Sequence, residues 1–341
     1  MAAMIAVYVV TYRRPHLLRR ALASVQAQTY TNWEARIVND DPDDTRVAAI
    51  VNEYGDSRIR LYEPVRKRGA AGAFNEAFRA RDCEFASLLE DDNWWEPRFL
   101  EVMTAALEQH PHVDLACMNE RIWREESDGT WTDTGRLVWE NRLDSLYATS
   151  LSAGCGSAKL CNSSLLFRRN GRPAWTTPDD LPVDVTEHFR ERIIPQPFLL
   201  VGEPLVNYAE TLQTTRTKSG TLWGDYQCLL VGSCFASLPS TSRSELAKQL
   251  FQETGDSVSP RVTTLLATAL SCPEARPLLG RASAKQLTKF ALTIARRPRR
   301  FLALFILRNR LARHWEFLMN SPWNRKLSET TQYRDAGTKP A

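Results

Sequence analysis

Long apolar runs are missing from this sequence of 341 residues. It contains no stretch of about 18 consecutive apolar residues, so we expect no membrane-spanning helix. The apolar run at residues 4–10 follows no basic leader and ends in no small-residue cleavage site. We therefore do not expect this run to be a signal peptide.

Paired cysteines are also missing. The seven cysteines are scattered along the chain and form no CxxC pair, so neither a zinc site nor a disulfide framework is indicated. Internal repeats and low-complexity linkers are absent as well. The scattered, unpaired cysteines favour a reducing, cytoplasmic location.

The length and the charge distribution indicate a main domain with an appendage. A single hydrophobic core rarely grows beyond about 250–300 residues, so a second unit is expected. Residues 281–341 hold 14 Lys and Arg against 3 Asp and Glu, whereas the preceding residues hold 30 against 37. The C-terminal part is therefore basic and the body mildly acidic.

Apolar strand patterns alternate with helical patterns through the first hundred residues. The strands are expected at 4–10, 33–38, 59–62, 85–89 and 113–117, with helices between them. This alternation predicts an α/β fold with an open, mostly parallel sheet covered by helices on both faces. Ligands of such sheets bind outside the carboxyl ends of the strands. After about residue 241 the pattern becomes helical, and the last long helix is expected at about 299–318.

Three acidic residues, Glu90, Asp91 and Asp92, directly follow a buried apolar strand. Such a cluster is electrostatically unfavourable unless a cation or strong donors neutralise it. Carboxylate oxygens at this position suit Mg²⁺ or Mn²⁺ together with the oxygens of a diphosphate. The alternative is a solvated acidic turn that caps the helix beginning near Pro97.

Four segments, in order along the chain, resemble the motifs of the inverting glycosyltransferases of family 2. They are Val9-Val10-Thr11-Tyr12-Arg13-Arg14, Gln28-Thr29-Tyr30-Thr31-Asn32-Trp33-Glu34, Val38-Asn39-Asp40-Asp41 and Leu89-Glu90-Asp91-Asp92-Asn93-Trp94-Trp95-Glu96-Pro97. The resemblance implies the GT-A fold, a Rossmann-like α/β architecture, here with an α-helical C-terminal appendage.

The resemblance also implies roles for single residues. Thr11 and Tyr12 would line the nucleobase pocket, Asp40 would bind the base or ribose, and Asp92 would ligate the metal with help from Asp91 and Glu90. Arg14, Arg68 and Asn75 are further candidates for binding the nucleotide sugar. The implied cofactor is Mg²⁺ or Mn²⁺.

The sequence departs from the family pattern in two places. Phe74 stands where the family usually has an arginine that meets the diphosphate; Arg66, Lys67 and Arg68 just upstream could supply that charge or form a basic surface turn. The general base is the second departure. Asp184 is the first candidate, with Glu187 and His188 as rivals, although Asp184 could instead be a helix N-cap.

The segments downstream also resemble the family. Residues 202–208 resemble its final strand, after which Thr214, Thr215, Arg216 and Ser219 could close over the diphosphate. Residues 162–169 resemble the strand that precedes the acceptor site. Tryptophans could stack on sugar faces, although most serve packing; the candidates are Trp94, Trp95, Trp123, Trp131, Trp139 and Trp175.

The expected domains are a GT-A domain at 1–235, divided into a nucleotide-sugar half at 1–117 and an acceptor half at 118–235, and a basic helical region at 241–341. Residues 287–318 interleave apolar side chains with arginines. A basic amphipathic helix of this kind binds anionic membrane surfaces, and packing on the acidic body is the alternative. Nucleic acid is not an expected partner, because no groove-reading motif accompanies the charge.

The sequence therefore predicts an inverting glycosyltransferase that moves a sugar from a nucleoside-diphosphate donor to a hydroxyl of a glycan or lipid-linked acceptor. Synthesis of a cell-envelope polysaccharide or glycoconjugate is the expected process, in the cytoplasm or on the inner face of the membrane. One alternative is a catalytically silent family member that binds a glycan or membrane surface. A nucleotidyltransferase is less favoured, because no Gly-rich phosphate loop lies near the first strand.

Overall fold

The computed structural model describes residues 3–62, 67–169, 171–212, 220–255 and 258–329. The chain divides into two compact units, one formed by Met1–Thr149 with Ala158–Arg216 and the other by Ser150–Ser157 with Thr217–Ala341. Sequence reasoning extended the first domain to residue 235, whereas the second unit here contains the helix Gly220–Ser237.

The first unit begins with alternating strands and helices. Helix α1 begins at Pro15, whose fixed φ suits the first helical position. Helix α2 is terminated by its C-cap residue Gly55, which adopts a left-handed conformation. The elements are β1 (Ile5–Thr11), α1 (Pro15–Gln26), β2 (Trp33–Asn39), α2 (Arg46–Tyr54), β3 (Ile59–Tyr62), α3 (Gly69–Arg79) and β4 (Phe85–Glu90). The expected α/β alternation is confirmed here.

The rest of this unit is less regular. The acceptor half expected from residue 118 begins with a hairpin, because β6 continues to Glu125 and pairs with β7. One-turn 3₁₀ helices at Asn162–Ser164 and Val183–Val185 precede β9 and α6. The elements are β5 (Trp94–Trp95), α4 (Phe99–Gln109), β6 (Leu115–Glu125), β7 (Trp131–Leu137), β8 (Ser145–Tyr147), β9 (Leu165–Arg168), α6 (Thr186–Glu191) and β10 (Phe198–Glu210).

The strands form one sheet in the order β3-β2-β1-β4-β9-β6-β10-β5, with β7 on β6 and β8 on β10. Strands β3, β2, β1 and β4 are mutually parallel, β9 is antiparallel to both neighbours, and β6 and β10 are parallel to each other. Side chains alternate along β1, so that Val7 and Val9 enter one core and Ala6 and Tyr8 the other. The sheet therefore has an apolar core on each face.

The second unit is helical in its described part. Its elements are α5 (Leu151–Gly154), α7 (Gly220–Ser237), α8 (Ser240–Thr254), α9 (Pro260–Ser271), a 3₁₀ segment at Pro273–Arg281, α10 (Ala284–Arg296), α11 (Pro298–Phe305), α12 (Leu307–Arg310), α13 (Ala312–Met319) and α14 (Pro322–Glu329). Ser283 and Gln286 form a reciprocal capping box at the start of α10.

The prediction of a single helix at about 299–318 is wrong, because the chain leaves helical geometry at Ile306 and Leu311. These breaks leave Leu304 and Leu307 buried while Leu302, Phe305 and Ile306 stay exposed. Within the described residues, the helices are too short or too polar to cross a membrane.

Candidate functional site

Three polar clusters from the motif segments, which begin at Thr11, Asp40 and Glu90, meet at one edge of the sheet. Thr11 ends β1, Asp40 follows the last residue of β2, and Glu90 ends β4. In the parallel register Thr11 lies beside Asn39, and Val10 lies beside Glu90. The tertiary structure thus brings the three clusters together at the carboxyl ends of adjacent strands.

Asp91 lies in the interior beneath this edge. Its side chain is 0% exposed, and both of its carboxylate oxygens are bound, Oδ2 by the Thr11 hydroxyl at 2.7 Å and Oδ1 by Nη2 of Arg14. Burial raises the pKa of Asp91 to about 7, although the positive charge of Arg14 opposes the rise.

Asp92 is bound by the same arginine. Nη1 of Arg14 donates to Oδ2 of Asp92 at 2.7 Å, and the Asp92 side chain keeps 17% exposure. Arg14 is itself mostly buried. The guanidinium group therefore spans two neighbouring carboxylates, and this chain supplies a cation of its own to the acidic motif.

Glu90 is fixed by Ser163, which sequence reasoning had placed only in a strand near the acceptor site. The Ser163 hydroxyl donates to Oε2 of Glu90 at 3.1 Å and accepts from the Glu90 backbone N–H at 3.1 Å. Burial, with the charges of Asp92 and Glu187, raises the pKa of Glu90 well above its usual range. Burial and the neighbouring carboxylates therefore disfavour the charged form of Glu90.

Asp40 lies at the start of helix α3. Its Oδ1 accepts from the backbone N–H groups of Arg68 at 2.9 Å and Gly69 at 3.0 Å, the orphan donors of a helix N-terminus. Nη1 of Arg68 donates to Oε1 of Glu76 at 2.6 Å. In this arrangement Arg68 is an ion-pair partner within the protein.

Tyr12 is flanked by two cations. Nζ of Lys67 donates to the Tyr12 hydroxyl at 2.9 Å, and the guanidinium group of Arg13 lies 5.1 Å from the centre of the ring. Arg13 is a non-glycine residue with φ of 58°, and it pairs with Asp41. The predicted contributions of Arg66, Thr214, Thr215, Arg216 and Ser219 lie outside the described residues.

Asn75 is a buried polar junction. Its side chain is 0% exposed, and its Nδ2 donates to the Thr177 carbonyl and to Oδ1 of Asp179, each at 2.7 Å. Its Oδ1 accepts from the Thr177 N–H at 3.1 Å and from Nη2 of Arg190 at 3.1 Å. All the hydrogen-bonding groups of this amide are used within the protein.

The three candidate bases lie at the start of α6. Oε1 of Glu187 accepts from the Asn162 N–H at 2.8 Å, and the Glu187 charge acts on Glu90, where it raises the pKa. Asp184 and His188 are half-buried nearby. Val185 occupies the N-cap position of α6, and Asp184 lies one residue before it.

Glu120 is a buried carboxyl group that sequence reasoning missed. It is 1% exposed, and its two carboxylate oxygens make no hydrogen bond to the described residues. Burial raises the pKa of Glu120 to about 7, and the nearby Cys161 thiol and Ser164 hydroxyl offset this only in part. Little in the sequence pointed to it, because Asn119 and Arg121 flank Glu120 and the expected apolar strand ends at residue 117.

Arg20 was also missed. Its guanidinium group lies 3.8 Å from the ring centre of Trp94 and 3.9 Å from that of Trp131, and its Nη2 donates to the Asp92 carbonyl at 2.7 Å. Burial lowers the pKa of Arg20 to about 10. These two tryptophans therefore pack on a protein cation, and the arginine fixes the backbone of the acidic motif.

The acidic motif fits a divalent cation through one residue. Both oxygens of Asp91 are engaged, whereas only Oδ2 of Asp92 is bound and its Oδ1 makes no contact in the described part of the chain. No group of three His, Cys, Asp or Glu side chains that could enclose a metal occurs among the described residues. A single protein carboxylate with diphosphate oxygens and waters suits Mg²⁺ or Mn²⁺.

Comparison with solved structures defines the class of fold. Two structures of S. aureus TarS residues 1–349, one in complex with UDP-GlcNAc, align over 96% of this chain and 90% of theirs. Their TM-scores are 0.53 and 0.52, at 12% and 14% identity. The chain has the GT-A fold.

Comparison of sequences adds a match to a family model. Residues 6–167, a little under half of the chain, match the model of glycosyl transferase family 2. The Escherichia coli protein WfgD, a UDP-Glc:alpha-D-GlcNAc-diphosphoundecaprenol beta-1,3-glucosyltransferase, is 32% identical over 105 residues, which are 30% of this chain and 41% of WfgD. The colanic acid biosynthesis protein WcaA of Escherichia coli (strain K12) is 32% identical over 107 residues, 31% of this chain and 38% of WcaA. The chain thus spans about two fifths of the length of these relatives.

Proposed function

We propose that this chain is an inverting glycosyltransferase that moves a sugar from a nucleoside-diphosphate donor to a hydroxyl group of an acceptor. The observation that carries the proposal is the acidic motif at the carboxyl ends of parallel strands, with Asp91 fixed by Arg14 and Asp92 partly open to solvent. This edge is where open α/β sheets bind nucleotides. The match of residues 6–167 to the glycosyl transferase family 2 model supports the same activity.

The donor would lie along the ends of β1 and β2. Thr11, Tyr12 and Asp40 would surround the nucleoside, and Lys67 beside Tyr12 would add a positive charge near the phosphates. Asn75 and Arg68 would act by holding α3 and the loop near Thr177, since their side chains are already bound within the protein.

A divalent cation, Mg²⁺ or Mn²⁺, would be held by Asp92. When bound, it neutralises charge on the leaving diphosphate. Arg14 would keep Asp91 and Asp92 in place and contribute a second positive charge close to the diphosphate. Glu90 would orient this segment through Ser163.

Glu187 is the proposed general base, ahead of Asp184 and His188. Its carboxylate accepts from the Asn162 N–H, and the next residue, Ser163, binds Glu90 of the acidic motif, which favours a position facing the reacting groups. The Glu187 carboxylate would accept the proton of the acceptor hydroxyl as its oxygen bonds to the anomeric carbon. The bond to the diphosphate oxygen breaks on the opposite face, and the nucleoside diphosphate leaves with the electron pair.

The proposed acceptor is a glycan or a lipid-linked sugar, and the proposed process is cell-envelope polysaccharide or glycoconjugate synthesis. Support comes from the names of the relatives, since WfgD acts on a diphosphoundecaprenol-linked sugar and WcaA is named for colanic acid synthesis. Action in the cytoplasm or on the inner face of the membrane would follow from such an acceptor.

The test measures nucleotide binding first and turnover second. The melting temperature of the purified chain is measured with UDP, GDP, dTDP and CDP, each with Mn²⁺, Mg²⁺ or EDTA, because a ligand of the native state raises it. One nucleotide should give a metal-dependent rise, and its sugar conjugate should be turned over with lipid-linked acceptors. Binding without turnover on any acceptor would favour the catalytically silent alternative. The absence of any shift in folded protein would contradict both the donor site and the transferase proposal.

A further inference from the structure

The C-terminal helical unit contains a cleft lined by arginines. Its volume is about 610 Å³, and its polar lining consists of Arg296, Arg297, Arg299, Arg300, Arg310 and Asp225. These residues come from α7, from the junction of α10 and α11, and from α12. The cleft belongs to the second unit, whereas the residues of the donor site proposed above belong to the first.

The cleft carries more positive charge than its surroundings neutralise. Asp225 is the one carboxylate in the lining, and it is paired with Arg310. Arg296, Arg297 and Arg299 are exposed and make no ion pair with the described residues. Like charges held around a concave surface repel one another, and an anion would relieve that repulsion.

The arginines are placed by the backbone. Arg297 is the C-cap of α10 and also the N-cap of α11. Its φ of −139° and ψ of 59° are not helical, so the backbone changes direction there. Arg300 packs against α7 so closely that a Cβ added to Gly224 would lie 3.0 Å from its Nη2. Gly224 therefore leaves room on α7 for the Arg300 guanidinium group.

Exposed apolar side chains adjoin the cleft on α11. Leu302, Phe305 and Ile306 are 65%, 55% and 56% exposed. At about 100° per residue, Leu302 lies about 60° around α11 from Arg299, and the cleft-lining residue Ala303 lies between Arg299 and Arg300. Ile306 directly follows the last residue of α11. A cationic cleft therefore borders directly on a small apolar surface.

We propose that this cleft binds the phosphate or diphosphate group of an anionic lipid and so holds the C-terminal unit on a membrane surface. Guanidinium groups donate in pairs to the oxygens of an oxyanion such as phosphate, which favours a phosphate over a simple halide. The adjoining Leu302, Phe305 and Ile306 would enter the lipid interface, as the apolar face of an interfacial helix does. A nucleic acid would leave these side chains in water.

Vesicle flotation of the full-length chain tests the proposal. The chain should bind vesicles that contain phosphatidylglycerol and not those of phosphatidylcholine alone. The double variant Arg297→Ala/Arg299→Ala should bind roughly 30-fold more weakly, because each basic side chain near an anionic surface contributes about fivefold. The matched control Lys285→Ala/Arg325→Ala removes the same charge from exposed positions of this unit outside the cleft and should change binding less than about threefold.

Two further arms separate the sources of phosphate. Inorganic pyrophosphate, measured by calorimetry, should bind the unmodified chain and the Leu302→Asn/Phe305→Asn variant equally, whereas that variant should lose vesicle binding. Pyrophosphate binding without vesicle binding would overturn the lipid assignment. Equal losses in the cleft and control variants, or tighter binding of a single-stranded oligonucleotide that displaces vesicles, would also overturn it. Nucleotide-induced melting shifts should be unchanged in the cleft variant, so this test is independent of the transferase proposal.

Discussion

Arg14 donates to a carboxylate oxygen of both Asp91 and Asp92, and so joins the segment after β1 to the segment after β4. Asp91 is fully buried. Among the described contacts, Arg14 is the cation that pairs with it. The conformation of the acidic motif therefore depends on a residue 77 positions before Asp91 in the chain.

Replacing Arg14 by Ala should lower the free energy of unfolding by about 3–5 kcal/mol at pH 8, because a buried carboxylate loses its charged partner. The loss should be smaller at pH 5, where Asp91, with its pKa raised to about 7, is protonated. Urea unfolding at the two pH values measures both. Arg19→Ala breaks an exposed pair with Glu53 and should cost less than about 1 kcal/mol at either pH. Equal effects of the two substitutions would contradict this role of Arg14.

Manganese should stabilise the Arg14→Ala variant more than the unmodified chain. The removal of the guanidinium group frees one oxygen on Asp91 and one on Asp92, and carboxylate oxygens are ligands for Mn²⁺. The melting temperature of both proteins, measured without metal and with Mn²⁺ at about 1 mM, gives the difference. An identical metal response in both proteins would show that Arg14 and the metal do not share these oxygens.

Glu120→Gln should make the chain more stable at pH 8 and have little effect at pH 5. Burial raises the pKa of Glu120 to about 7, so the folded state binds a proton more tightly than the unfolded state. The free energy of unfolding therefore falls as pH rises from about 4 to 7 and gains nothing back above it. The substitution should recover about 1–3 kcal/mol at pH 8. Glu140→Gln, at an exposed position, should show no pH-dependent effect.

Glu187→Gln should lower kcat by about 10²–10⁴ with a smaller change in KM for the donor, since an amide cannot accept the acceptor proton. The amide oxygen can still accept from the Asn162 N–H, so folding should be preserved. Asp184→Asn is the matched comparison and should change kcat less than tenfold on the same scale. The reverse ranking would assign the base to Asp184.

Asn75→Ala should lower the free energy of unfolding by about 2–4 kcal/mol, because it leaves buried partners at Thr177 and Arg190 unsatisfied. The exposed Asn52→Ala should be nearly neutral. Nucleotide affinity, measured well below the melting temperature, distinguishes a positioning role from direct donor contact. A large loss of affinity with unchanged stability would support direct contact.

Local patterns predicted the first half of the fold well. The strand expected at 33–38 falls within a residue of β2, and α1 is the helix expected between the first two strands. Both follow from apolar patterns that extend over only a few positions. The helix expected at about 299–318 failed for the opposite reason. Its amphipathic pattern continues through Ile306 and Leu311, and packing within the C-terminal unit decides where the backbone breaks.

The sequence by itself determined the class of fold and the position of the acidic motif, because both depend on residue types at short spacing. Only the tertiary structure decided which cation meets Asp91 and Asp92, that Glu120 is buried beside Cys161, and that five arginines line one cleft. These contacts join positions far apart in the chain. Their energies depend on burial and distance, which a linear sequence does not specify.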